Sequence, residues 1–226
     1  MSRQLLFTAV DAVPMVIRFG AAVGILIIVE AALWIDAIGV ATDVMIPMLW
    51  RAVVREVGPL LACLVVIGRS GVAMSTELAT MVVSGEVEVL DAQGIDPMTY
   101  LVMPRILSVV ISVFSLAIVM SISIIVTGYS IGWLMGAIHT PWSSFLNSVL
   151  REFNRVDLLF FGSKTMVAGA FAGAICCLDG ISVSGTLTDV PRVSSVSAIR
   201  ALTAVFAVSA ILSILIYGRL LVFRIG

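Results

Sequence analysis

Charge is scarce in this 226-residue chain. Lys, Arg, Asp and Glu make up 12% of it, 13 basic against 14 acidic residues, where a soluble domain carries about 25%. So few charges cannot coat a water-soluble fold of this length, which excludes a soluble enzyme and a disordered chain. The net charge of −1 leaves no basic footprint for nucleic acid. The single histidine, His139, stands beside Thr140 and Pro141; one histidine cannot build a metal site, and it reads as a loop residue. Cys63, Cys176 and Cys177 lie in apolar stretches without metal-ligand spacing, so they read as buried free thiols. The N-terminus shows no charged stretch, short apolar core and cleavage site of a signal peptide. Gly162-Ser-Lys-Thr165 lacks the glycine that a phosphate-binding GxxxxGK(S/T) loop needs before its lysine, and no zinc helix, carboxylate pair or nucleophile elbow appears.

What is abundant is apolar surface. Hydrophobic residues make up 61% of the chain, and the mean hydropathy is +1.18. These values describe an all-α polytopic membrane protein. A spanning helix takes about 20 residues, so the length allows five or six spans and no sizeable soluble domain. Five membrane segments are expected within one transmembrane domain over 1–226: about 13–35, 44–82, 97–136, 156–178 and 195–223. Pro14, Gly20 and Gly24 weaken the first, which also reads as a re-entrant pair. The third follows Asp96-Pro97, an N-cap and a proline at the first helical position. It is ~60 Å long if helical throughout, more than a bilayer core of ~30 Å. Gly128, Gly132 and Gly136 form a GxxxGxxxG ladder, and Gly169 and Gly173 a second such face, both suited to close helix contact.

Between the second and third segments, 84–94 reads either as a two-turn helix, with Ser84 and Gly94 at its ends and Glu86 and Glu88 in its first turn, or as a simple solvated connection. The Ser-, Gly- and Thr-rich stretch 179–194 reads as a flexible connection. Arginines do not orient the chain. Placing 84–96 in the cytoplasm puts Arg3, Arg69, Arg105, Arg192 and Arg200 there, against Arg51, Arg55, Arg151, Arg155, Arg219 and Arg224 opposite, which leaves the positive-inside bias undecided.

Charges inside spans are costly and face a cavity or a partner. The second and fourth of five segments run in the same direction, so Glu56 and Lys164 enter from one face and reach similar depths. A Glu56–Lys164 pair near mid-membrane is expected, with Arg55 beside it; the alternative is that each is satisfied locally or snorkels. Leu60, Leu61, Leu64 and Ile67 offer apolar surface further along the same helix, as a cavity for a lipid would need. Gly58-Pro59 predicts a kink in that helix.

The same residues carry a family resemblance. Arg55-Glu-Val-Gly-Pro-Leu-Leu61, Gly68-Arg-Ser-Gly71, Ser75-Thr-Glu-Leu-Ala-Thr-Met81, Gly94-Ile-Asp-Pro97 and Pro104-Arg105 closely resemble the MlaE/YrbE permease family, the membrane subunits of ABC transporters linked to MCE proteins. The resemblance is densest over 51–105. It extends more weakly from Arg3-Gln4 to about Gly218, taking in Asp157-Leu158, Lys164 and Asp179-Gly180. It implies a homodimeric, multi-pass permease in the inner (plasma) membrane, with two cytoplasmic ATPase subunits that hold the ATP and Mg, and no cofactor on this chain. An MCE ring would sit on the other face. The cargo would be phospholipid or a related lipid in a cavity between the two copies, near Arg55, Glu56 and Lys164. The segment 84–94, with Glu86, Val87, Glu88, Leu90 and Asp91, would be the coupling helix that docks in the ATPase. Some members carry an acidic residue inside the last helix, and 198–223 contains none here. The competing reading is an ion-coupled secondary transporter or channel built on Glu56 and Lys164.

Overall fold

The computed structural model describes residues 10–38, 49–138, 140–152, 155–183, 186 and 188–225. His139 and the first residues of the expected second segment, 44–48, lie outside them. Among the described residues there is no strand, and five helices are long and apolar enough to cross a membrane.

Helix α1 is Val13–Ile38, one continuous helix where the sequence also allowed a re-entrant pair. Pro14 falls in its first turn, where a missing N–H costs nothing. Gly20 and Gly24 do not weaken it; they let it approach the central helix. A Cβ on Gly20 would lie 2.8 Å from the Ser123 Cβ, and one on Gly24 would lie 2.6 Å from the Ile124 carbonyl oxygen. The approach is tight enough for Ser123 Oγ to donate a hydrogen bond to the Ile17 carbonyl at 2.9 Å.

Helix α2 spans Leu49–Val83 and contains two π-turns, Val53–Val57 and Ile67–Gly71. The first is explained by Pro59, which has no N–H for the carbonyl four residues back. Gly58 N–H reaches back five residues to the Val53 carbonyl. Where a kink is expected at Gly58-Pro59, the helix shows this π-turn and continues. A short helix α3, Glu86–Ala92, lies between Gly85 (φ 78) and Gly94 (φ 76), two left-handed positions that favour glycine.

Helix α4, Met98–Leu134, runs through the middle of the bundle. Asp96 caps its start, accepting hydrogen bonds from Met98 N–H at 3.1 Å and Thr99 N–H at 3.2 Å. The Thr99 hydroxyl and the Met98 amide hold the Asp96 carboxyl below its usual range. A lowered carboxylate contributes stability above its unfolded pKa and loses it as pH falls. Asp96→Ala is therefore expected to lower the thermal midpoint at neutral pH, with the gap to wild type closing below about pH 4. A gap that persists unchanged in acid would show that the cap is not the cause.

The α4 ladder has two packing rungs. A Cβ on Gly128 would meet Trp50 at 2.7 Å, and one on Gly132 would meet Ile138 at 2.7 Å and Ile28 at 2.9 Å. Gly136 is no third rung. At φ 72 it ends the helix, with Gly136 N–H on the Trp133 carbonyl and Ala137 N–H on the Gly132 carbonyl, the Schellman arrangement that glycine favours. Gly132→Leu is expected to lower stability by about 1–3 kcal/mol through overpacking, read as a lower thermal midpoint and yield in detergent. Wild-type values would mean that the α1–α4 contact is loose.

Beyond α4 the chain forms α5, Trp142–Glu152, which sequence reading passed over. Phe145 anchors it, 2% exposed and with ring centroids 4.6 Å from Tyr129 and 5.7 Å from Trp50. Helix α6 is Arg155–Ile181 and α7 is Val190–Ile225, so both enter the stretch 179–194 that reads as a loop. Pro191 sits in the first turn of α7, where it is compatible with a helix. Gly169 and Gly173 bring α6 onto α4 at Val109–Val113. Helix α7 lies at the edge, on α6 and the second half of α2. Alternation of the five spans puts α3 and the α6–α7 turn on one side of the bundle and α5 on the other.

Candidate functional site

Three spans meet at one buried point toward the α5 side. Lys164 of α6, 1% exposed, forms an ion pair with Glu56 of α2. Ser213 of α7 completes a triangle: its hydroxyl donates to Glu56 Oε1 at 2.7 Å and accepts from Lys164 Nζ at 3.0 Å. The expected Glu56–Lys164 pair is therefore present. It lies about 10 Å along each helix from where α2 and α6 begin their spans. Glu56 keeps 31% of its side chain exposed, so the pair is closed on the lysine side and open on the acid side.

Arg55 does not join this pair. It is ion-paired with Asp157, whose other oxygen lies 3.4 Å from Arg51 Nη2. Asp157 and Lys164 stand two turns apart on one face of α6, ~10 Å along its axis. Neighbouring residues of α2 thus reach two different levels of α6. Phe160 sits between those levels, its ring centroid 6.0 Å from the Arg55 guanidinium and 5.5 Å from Lys164 Nζ, distances at which a ring face attracts a cation.

Of the apolar residues expected to line a cavity, Leu60 and Leu61 pack half-buried against the core, Leu64 is 38% exposed, and Ile67 is enclosed at 1%. An apolar groove lies elsewhere among the described residues. It has a volume of about 430 Å³, runs between α4, α5 and α6, and is lined by Val54, Ile122, Ile125, Trp142, Leu146 and Phe161 among others, with Asp157 in its wall. None of Arg55, Glu56, Leu60, Leu61, Leu64, Ile67 and Lys164 lines it.

On the opposite side, α3 is a true helix in which no residue is buried. Glu86, Glu88 and Asp91 are exposed, Val87 and Leu90 half-buried, and among the described residues α3 packs chiefly on the end of α2. Nearby, a cavity of about 410 Å³ between α6 and α7 holds Asp179, Asp189, Arg192 and Arg200. Among the described residues no group of three or more His, Cys, Asp or Glu could hold a metal ion. Sequence reading missed Ser213, because a span serine normally bonds its own helix backbone. Asp157 entered only through the family motif.

The chain is thus a multi-pass α-helical membrane protein whose spans are joined by buried charge pairs. The family model of the permease MlaE matches residues 1–215, and the chain belongs to the MlaE permease family. A probable ABC transporter permease protein of Rickettsia typhi is 31% identical over 126 residues, 56% of this chain and 48% of that one. Its Rickettsia conorii counterpart is 26% identical over 178 residues, 79% and 68% respectively. The chloroplastic protein TRIGALACTOSYLDIACYLGLYCEROL 1 of Arabidopsis thaliana is 30% identical over 143 residues, 58% of this chain and 37% of that one. The chain spans about half the length of the Rickettsia typhi relative and of a Rickettsia prowazekii relative.

Proposed function

We propose that this chain is the permease subunit of an ABC transporter that moves phospholipid or a related lipid between the inner membrane and an MCE-protein partner. Family membership and relatives named as ABC transporter permeases support the transporter class. One relative bears the name of a glycerolipid, in keeping with a lipid cargo. The observation that carries the reading is the Glu56–Lys164–Ser213 triangle. It fixes polar groups at one depth among apolar spans, closed on one side and open on the other, as a site for an amphipathic cargo needs.

The chain works as a pair in this reading, with the cargo held between two copies. ATP and Mg belong to separate ATPase subunits, and α3 is the segment that docks in them. The α3 side is then cytoplasmic, and α5 faces the MCE ring. The buried Glu56–Lys164 pair also suits an ion-coupled transporter, so the experiment must separate the two. The complex is purified, its subunits and bound lipids are identified by mass spectrometry, and lipid movement is measured in liposomes with ATP or with an imposed ion gradient. Copurified ATPase, bound phospholipid and ATP-dependent movement are expected. Transport by the chain alone on an ion gradient would overturn the proposal.

A further inference from the structure

Arg105 takes no part in the proposed cargo site, yet it is 3% exposed near the start of α4. Its Nη2 lies 3.1 Å from Glu77 Oε1 and 3.9 Å from Met81 Sδ, both on α2. Its Nε and Nη1 are buried without an acceptor. Glu77 itself is 62% exposed. A methionine or leucine in place of Arg105 would fill the same space without desolvating a charge, so the bridge is a poor way to stabilise the bundle.

Its position suggests a different use. The second half of α2, Val72–Val83, packs on α6 and α7, whereas α4 packs on α1, α6 and the first half of α2. The two arms that flank α3 therefore share α6 and differ in their other neighbours, α7 for the end of α2 and α1 for α4. They touch through a small apolar cluster of Leu78, Val102, Leu101 and Ile106, which Cys177 and Ile181 of α6 complete, and Arg105 supplies a direct polar link between the two arms beside it. Since α3 packs chiefly on the end of α2 among the described residues, a displacement of α3 reaches α2 first.

We propose that Arg105 is a positioning residue. Through Glu77 it ties the end of α2 to the start of α4, so that both arms move together when the ATPase shifts α3, and the displacement reaches the Glu56–Lys164–Ser213 triangle. The inference rests on the permease reading above. With the tie broken, α3 still docks and ATP is still hydrolysed, but the motion is absorbed between the two arms.

The test uses the intact complex in liposomes and reads movement of a fluorescent phosphatidylethanolamine against ATP hydrolysed. Arg105→Met and Glu77→Gln are each expected to cut lipid moved per ATP about tenfold, within the usual range of allosteric couplings. ATPase content should match wild type in both, and the thermal midpoint should match in Arg105→Met, which removes the buried charge, while Glu77→Gln strands it and should lower the midpoint; Arg105→Lys, which keeps the charge, should restore part of the ratio. A wild-type ratio in both variants overturns the proposal. So does a loss of transport that is matched by equal losses of hydrolysis, assembly and thermal stability, which would make Arg105 structural only. Should the wild-type complex carry no ATPase or move no lipid, the permease reading fails instead.

Discussion

Lys164→Ala is expected to reduce lipid transport at least a hundredfold while leaving the ATPase bound. The cargo site loses its fixed cation; removing one partner of a buried ion pair also costs about 3–5 kcal/mol of stability, so complex yield is the control. Lys164 is the enclosed partner, at 1% exposure. Its loss leaves Glu56 with the Ser213 hydroxyl and with solvent on its open side. Glu56→Ala should be the more destabilising change, because it strands the enclosed ammonium with Ser213. A double variant, Glu56→Gln with Lys164→Met, removes both charges and should recover thermal stability without recovering transport. The readouts are transport by reconstituted complexes and complex yield. Normal transport by both single variants would remove the pair from the mechanism and leave a cavity defined by apolar shape.

Reversing charge on α3 should act at the other end of the cycle. Glu86→Lys with Glu88→Lys places like-for-unlike charge on a docking surface, where mismatched charges cost several kcal/mol, and ATPase association should fall at least tenfold. The bundle should be indifferent, since α3 holds no buried residue and exposed substitutions usually stay within about 0.5 kcal/mol. Lysines in a first turn also oppose the helix dipole. The Glu86→Gln with Glu88→Gln variant separates that effect, because it removes the acids without adding positive charge. A full complement of ATPase in pull-downs of the reversed variant would rule out α3 as the docking segment.

The spans were legible because hydropathy is the physics that makes them: runs of apolar residues at bilayer length leave little choice. The Glu56–Lys164 pair was legible for a related reason, since a charge inside a span needs a partner and two spans of the same direction supplied opposite signs. The partner of Arg55 was not. Depth along a helix places a residue, but the reach of a long guanidinium side chain to Asp157, two turns from Lys164, depends on how α2 and α6 are rotated. Helix α5 was illegible because Ser143, Ser144, Asn147 and Ser148 give it a loop's composition; among its described side chains, only Phe145 and Val149 are buried in the core. Glycines carried the most ambiguous signal. Gly24, Gly132 and Gly136 are one residue type with three meanings: close approach from α1, close approach from α4, and the end of a helix. Only the neighbouring atoms and the sign of φ separate them.

The second π-turn of α2 has a consequence for chain length. Glu56 and Glu77 are 21 residues apart. On an unbroken α-helix that spacing sets their directions only ~60° apart around the axis. The wider turn at Ile67–Gly71 absorbs one residue and opens the angle to ~160°, so one carboxylate turns to Lys164 on α6 and the other to Arg105 on α4. The interval between the two acids is therefore as much a part of the molecule as the acids themselves. A chain one residue shorter in that turn would keep both carboxylates and lose one of the two pairings.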